Sequence, residues 1–302
     1  MPLNAHFSNN QTSHTVADYL KEPSIIKKTL TLAGRGQFLA ETLFTGGYSA
    51  NGGAVSYQES TYPYMEESKN EPNENFAIAE GSDFHTVYME DVGPQVAKVR
   101  KYGIEAYVTY EDERRNQLGV LARATTRMLN TMVKHLDGVT MNMLKANPAI
   151  RDFPTVNWND PTSIGIWDDV LEAQNLIEDE DESGGVYTPD TLVVSNFTYN
   201  RLRQNADIRD LFGERDDNPV YKGSMEELAG MRIMKSQYVA KDTAFLLQKG
   251  EIGGIADEEA LQMKPIERVE RNERIYLRCK RTTIAFLTDP GAIIRFTGLV
   301  QP

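Results

Sequence analysis

A single cysteine, Cys279, stands in 302 residues, which excludes an intrachain disulfide and a cysteine-rich zinc site. It lies in an alternating strand pattern and reads as a buried structural thiol. The four histidines, His6, His14, His85 and His135, show no H-x-x-x-H or H-x-x-E-H spacing, so no metal or triad arrangement is built on them. No apolar run approaches the ~18 residues of a membrane span. The start of the chain, MPLNAHFSNNQTSHTV, lacks a basic region followed by an apolar one, which predicts no signal peptide and synthesis in the cytosol. Net positive charge is missing as well. With 32 basic and 44 acidic residues the formal charge is -12, which argues against a protein that works mainly by gripping phosphates. Hydrophobic residues at 40% and charged ones at 25% are ordinary soluble composition, enough for one large or two modest domains.

The longest helical pattern runs from Thr109 to Asn147. Thr109 and Asp112 stand in the spacing of a capping box, and Glu111, Asp112 and Glu113 put negative charge at the positive end of the helix dipole. Leu118, Leu121, Ala122, Thr125, Leu129, Met132, Leu136, Val139, Thr140 and Met143 recur in steps of three and four, while Arg114, Arg123, Arg127 and Lys134 fall largely off that stripe. A helix over 110–146 is roughly 50 Å long and must lie along a sheet or another helix. Asn147-Pro148 ends it.

Around this spine the chain reads as an α+β fold. Residues 1 to about 32 form an arm ordered only against neighbours, and 32–44 a short helix stopped by Gly46-Gly47. Strand signals at 54–59, 85–92 and 96–110 enclose a polar excursion and suggest a long projecting hairpin, which needs another subunit to pack on. Helices are expected over 163–178 and 197–212, short strands over 191–195, 230–235, 244–248 and 253–255, and longer strands over 264–271, 274–288 and 292–297.

Catalytic patterns are weak. Gly34-Arg35-Gly36 has no third glycine and no preceding strand, so it is not a dinucleotide fingerprint. Ser195 has the strand-to-helix setting of a nucleophile elbow, but VVSNFT lacks the flanking glycines and reads as an N-cap. Glu111-Asp112-Glu113 could serve as acid and base or simply favour a helix start. Asp179, Asp181 and Asp190 fall at calcium-loop positions, yet Pro189 and the TLVVS strand forbid the exiting helix, so a solvated acidic loop is the plainer account. No cofactor is expected.

The order of arm, hairpin, spine helix, inserted α+β region and returning strands resembles the major capsid protein of tailed bacteriophages, the Hong Kong 97 or Johnson fold. Ala79-Glu80-Gly81-Ser82 resembles a segment of that family's E-loop. KVRKYGIEAYVTYEDERR (98–115) is similar to the strand entering the spine of its peripheral domain, and TPDTLVVS (188–195) with the Tyr199-x-x-Leu202 helix to its axial domain. LAGMRI (228–233) and RCKRTTIAFLTDPGAIIRFTG (278–298) resemble its later motifs, with Arg232 where the family has proline.

The resemblance implies an arm and short helix over 1–51, an E-loop over 52–98, a peripheral domain over 99–162 and 264–284, and an axial domain over 163–263 and 285–302. It implies pentamers and hexamers of this chain in an icosahedral head around double-stranded DNA. A separate scaffolding protein, a portal and a decoration protein are implied partners, with the DNA met on the inner face without sequence specificity and no membrane involved. Intersubunit contacts are expected at Glu80, Gly81, Asp83, Glu111, Glu113, Arg114, Arg115, Arg123, Arg127, Arg271 and Glu273. Where some relatives carry a crosslinking lysine this chain has Asp83-Phe84-His85, which speaks against covalent crosslinking. Two other readings stand beside this one. One is an encapsulin-type compartment shell of the same fold, and the other a metal-dependent hydrolase using the acidic residues of 111–113 and 179–190.

Overall fold

Alternation in the chain's last third builds a long strand pairing of its four-stranded sheet. β11 (Arg274–Leu287) turns Ile275, Leu277 and Cys279 inward and leaves Tyr276, Arg278 and Lys280 half-buried on the other face. It pairs antiparallel with β4 (Arg100–Thr109), from Arg274 opposite Thr109 to Thr283 opposite Arg100. With β1 (Thr45–Ser49) and β10 (Gly253–Val269) these strands form a four-stranded sheet in the order β1-β10-β11-β4, β1 running parallel to β10. The structure, a computed structural model, describes residues 38–59, 80–81, 93–115, 118–178, 187–212 and 224–300.

The expected spine appears as two helices. α2 (Tyr110–Arg114) follows α1 (Leu39–Leu43) in the chain, and α3 (Leu118–Ala146) spans 29 residues. Arg115, with φ -82° and ψ 1°, closes α2 instead of continuing it. On α3, Leu121, Met128 and Met132 join Val108, Ile275, Leu277 and Cys279 in one core. The buried face is wider than the stripe read from spacing: Val133, Asp137, Met141 and Leu144 are inside, whereas Val139 is 41% exposed. Burial pushes the Cys279 thiol up to about 11, in keeping with an inert core residue.

The described chain divides into two compact units. One is drawn from residues up to Val55, Val96–Ala146 and Gly253–Phe286, the other from Ser56–Gln95, Asn147–Ile252 and Leu287 onward. These cuts fall at 146/147 and 252/253. Hydrogen bonding accounts for both. β5 (Arg151–Pro154) pairs parallel with β12 (Ile293–Thr297), and β10 begins at Gly253 as one long strand.

The second unit holds a six-stranded sheet, β5-β12-β9-β6-β8-β7, in which β6 (Thr191–Ser195) and β9 (Thr243–Leu247) are buried on both faces. β7 (Glu227–Leu228) pairs antiparallel with β8 (Met231–Ser236), which runs parallel to β6. α4 (Ile166–Glu178) buries Ile166, Val170, Ala173 and Ile177. The helix expected over 197–212 is broken at Asn205 into α5 (Asn196–Gln204) and α6 (Ala206–Phe212). Asn205 is fully buried: its side-chain oxygen accepts from Ile208 N–H at 3.1 Å and its amide donates to Ser163 O at 2.8 Å. A third, two-stranded sheet joins β2 (Ala54–Tyr57) and β3 (Gln95–Lys98), with Tyr57 OH donating to Gln95 Oε1 at 3.0 Å. The remainder of the expected hairpin, 60–79 and 82–92, lies outside the described residues, as do the arm and Gly34-Arg35-Gly36.

One glycine is required by a close approach. A Cβ on Gly254 would stand 2.5 Å from Tyr48 Cε2 and 2.7 Å from Phe286 Cζ, atoms of two rings in edge contact at 5.4 Å. Gly254→Ala is therefore expected to cost about 1–3 kcal/mol through overpacking. A urea midpoint unchanged from that of the parent chain would contradict it.

Candidate functional site

The start of the spine is built as its sequence spacing predicts. Asp112 N–H donates to Thr109 Oγ1 at 3.3 Å and Thr109 N–H to Asp112 Oδ2 at 3.4 Å, completing the capping box. The β4–β11 register then carries the turn 270–273 to the same place. Tyr110 N–H donates to the carbonyl of Glu273, which has a left-handed φ of 48°, at 3.0 Å. Arg268 grips Glu113 with two nitrogens, at 2.8 and 3.3 Å. Glu111, Arg114, Arg115, Arg271 and Glu273 are exposed around this pair. Two stretches some 160 residues apart thus make one charged knob.

The other expected contact residues are spread out. Arg123 and Arg127 are exposed on α3, with Arg123 Nε donating to Gly119 O at 3.1 Å. Glu80 and Gly81 sit in an exposed turn, Gly81 at φ 84°, while Asp83 lies outside the described residues. Asp179 and Asp181 also lie outside them. Asp190 serves the fold, since its Oδ1 accepts Lys249 N–H at 2.9 Å and its carbonyl accepts Arg232 N–H at 2.9 Å, stitching β8 and the 249 turn. Ser195 is an N-cap, its Oγ accepting Thr198 N–H at 3.0 Å, and the same hydroxyl is bonded to Thr198 Oγ1 at 2.9 Å. This is a closed local arrangement, and among the described residues no base is bonded to the hydroxyl. Among the described residues no group of three or more His, Cys, Asp or Glu is placed to hold a metal.

A buried ionic cluster that spacing did not single out lies in the first unit. Asp137 of α3, 1% exposed, accepts from the N–H groups of Leu39 and Ala40 at 3.1 Å each. These are free donors at the start of α1, so a carboxylate from elsewhere in the chain caps that helix. Alongside, Arg281 is 5% exposed; its Nε and Nη2 donate to Asp257 Oδ1 and Oδ2 at 3.1 and 3.0 Å, and Nη1 pairs with Glu41. Its guanidinium also lies 5.4 Å from the centre of the Phe38 ring.

Burial raises the Asp137 pKa above its ordinary value, opposed by the two N–H donors and by Arg281, and reinforced by Glu41. For Arg281 burial weakens the cation, but the carboxylates of Asp257 and Glu41 override it and hold the group above its ordinary value. A cavity of about 20 Å³ between Phe38, Glu41, Leu136 and Arg281 has room for one water and no substrate. The cluster clamps residues 38–43, where the described chain begins, onto the spine helix and β10–β11. Two signals could have found it: Asp137 stands four residues from both Val133 and Met141, at helical spacing, and Arg281 follows Ile275, Leu277 and Cys279 in the inward phase of β11.

The outer face of the four-stranded sheet is lined with cross-strand ion pairs. Arg278 bonds Glu105 on one side and Glu267, at 2.7 Å, on the other, and Lys280 bonds Glu259. Arg274 stacks 4.4 Å from the centre of the Tyr107 ring. Such a surface offers directional polar contacts but no enclosed reaction space.

Comparison with known proteins agrees with a shell component over a catalyst. No curated protein matches the chain in sequence. Among solved structures, the capsid of the cyanophage P-SCSP1u is similar with a TM-score of 0.64 at 12% identity, over 86% of this chain and 88% of that one. The mature capsid of bacteriophage PhiM1 gives 0.59 at 10% identity, over 88% of each chain. A virus-like particle from Pyrococcus furiosus gives 0.58 at 11% identity, over 90% of this chain and 98% of that one. Identities this low speak to fold alone, and the fold is of the Hong Kong 97 type. The family model described as "Phage capsid protein" matches residues 92–296, about two thirds of the chain, and by that match the chain belongs to the phage capsid protein family.

Proposed function

We propose that this chain is the major, shell-forming subunit of a tailed-phage head, joining its own copies as pentamers and hexamers in an icosahedral shell around double-stranded DNA. The observation that carries the reading is the family match over 92–296, which reaches from the β2–β3 hairpin base through both compact units to β12. In this reading the first unit is the peripheral domain, the second the axial domain, and the hairpin above β2 and β3 the E-loop. Its role is structural, with no catalytic residue assigned. The protein is a virion component assembled in the host bacterial cytoplasm, with a separate scaffolding protein, a portal and a decoration protein as partners. DNA is met on the inner face without sequence reading, in keeping with a charge of -12. The charged knob of Glu111, Glu113, Arg114, Arg115, Arg271 and Glu273 is proposed to meet a neighbouring subunit, with Arg123 and Arg127 along the spine and Glu80, Gly81 and Asp83 in the E-loop. The family match also favours a genome-enclosing head over an encapsulin-type compartment.

Negative-stain microscopy of the purified chain, alone and with its scaffolding protein, tests this. Closed shells of uniform size are expected. A chain that stays monomeric under every assembly condition with scaffold supplied would sink the proposal.

A further inference from the structure

The second unit gathers four cations around two aromatic rings where β6 and β8 end side by side, Ser195 opposite Ser236. Phe197 of α5, 38% exposed, has Arg201 5.3 Å and Lys241 4.9 Å from its ring centre. Tyr199, further along the same helix, has Lys235 at 4.8 Å and Arg203 at 5.9 Å. None of these four cations makes an ion pair among the described residues, unlike Arg295 of the same unit, which pairs with Asp152. Arg201 does donate to Gln204 at 3.1 Å, and the acid that feels its charge, Asp160, is bonded to Thr162 N–H and Oγ1 at 2.9 and 2.7 Å. Arg203 Nε is a buried donor with no acceptor among the described residues. An orphan donor beside unpaired cations is suited to an anionic group from outside.

The same unit carries the complementary charge. Glu178-Asp179-Glu180-Asp181-Glu182 places five carboxylates in five residues directly at the end of α4. The last turn of that helix has no basic residue and closes on Glu178, the first carboxylate of the run, at the end of the dipole where negative charge is least favoured. Helix stability does not account for it. Every copy of the chain brings one basic surface and one acidic run. A contact from the first on one copy to the second on the next is heterologous, the kind that closes into a ring when the rotation is right.

We propose that the surface formed by Arg201, Arg203, Lys235 and Lys241 around Phe197 and Tyr199 receives the acidic run 178–182 of a neighbouring copy, and that this head-to-tail pairing sets the contact between adjacent subunits of a ring. The proposal rests on the shell-forming reading and names one of its contacts. Nucleic acid is the weaker candidate for the occupant: four cations on a chain of charge -12 are few for a phosphate backbone.

The test is charge reversal in the full chain. Lys235→Glu with Lys241→Glu, and separately Glu180→Lys with Glu182→Lys, are each expected to raise the protein concentration needed for half-maximal shell assembly at least about tenfold. All four changes together restore assembly toward the parent value. Urea unfolding of the unassembled subunit is expected to be unaltered throughout. The proposal is overturned if either double variant assembles like the parent, or if the combined variant is no better than one pair alone. It is also overturned if the reversals lower subunit stability, which would place the pairing within one chain, or if they alter only retention of DNA. A parent chain that forms no shells would instead remove the shell-forming reading itself, a result distinct from all of these.

Discussion

Arg281→Met is expected to destabilise the unassembled subunit by about 3–5 kcal/mol, the cost of removing one partner from a buried ion pair. Methionine matches the length of the arginine stem, so little packing is lost. What is lost is the charge that Asp257 and Glu41 were arranged around. Asp257 is bound by two nitrogens, and its side chain retains 28% exposure, so it can rehydrate in part; Glu41, at 42%, can do so more fully. The lower half of the range is therefore favoured. A thermal midpoint lower by about 2–4 °C for each kcal/mol is the expected readout. Arg281→Met with Asp257→Asn should recover part of the loss, because the stranded carboxylate is then gone. A single variant as stable as the parent would mean that the cluster contributes nothing to holding α1, β10 and β11 together.

The arginine was legible in the sequence only in hindsight, and the reason lies in its phase. Alternation from Ile275 to Cys279 predicts an inward residue at 281, and an arginine there demands a carboxylate partner. The partner, Asp257, stands in ADEEALQ, beyond the short strand expected over 253–255 and too acidic to be read as strand from hydrophobic spacing. Its acids face cations of the neighbouring strand: Asp257 meets Arg281 and Glu259 meets Lys280. Local signals fared better where the interaction is local. The capping box at Thr109 and the N-cap at Ser195 both involve residues three apart, and both are present as read. Asn205 and β5 were missed because what determines them is distant: Asn205 is held by carbonyls of 160 and 163, and β5 by a strand about 140 residues later. Candidate contact residues were legible as charge outside the apolar stripe. That Glu113 already has Arg268 as a partner required the β4–β11 register.

Asp137→Ala is expected to cost about 2–4 kcal/mol. Each buried N–H left without an acceptor costs about 1–3 kcal/mol, and relief of the carboxylate's own desolvation offsets part of the total. The loss should be local in a way that the Arg281 variant is not. Amide exchange at Leu39 and Ala40 should accelerate strongly while the β4–β11 ladder stays protected. Acidity gives a second, independent handle. The native Asp137 pKa is raised, chiefly by burial, above the unfolded value near 3.9. As pH falls from 7 through the raised value, the native state takes up a proton that the unfolded chain does not yet hold. This group's contribution to stability therefore grows on acidification and levels off below about 4. Carboxylates with lowered pKa, such as Asp152 held by Arg295, act in the opposite sense in both proteins and cancel in the comparison. The stability gap between parent and Asp137→Ala should widen between pH 7 and about 4, measured by urea unfolding at each pH. A gap that narrows would mean that the two N–H donors, and not burial, dominate the site. The carboxylate would then be a net anchor in its charged form, and acid would loosen the root of the N-terminal segment instead of tightening it.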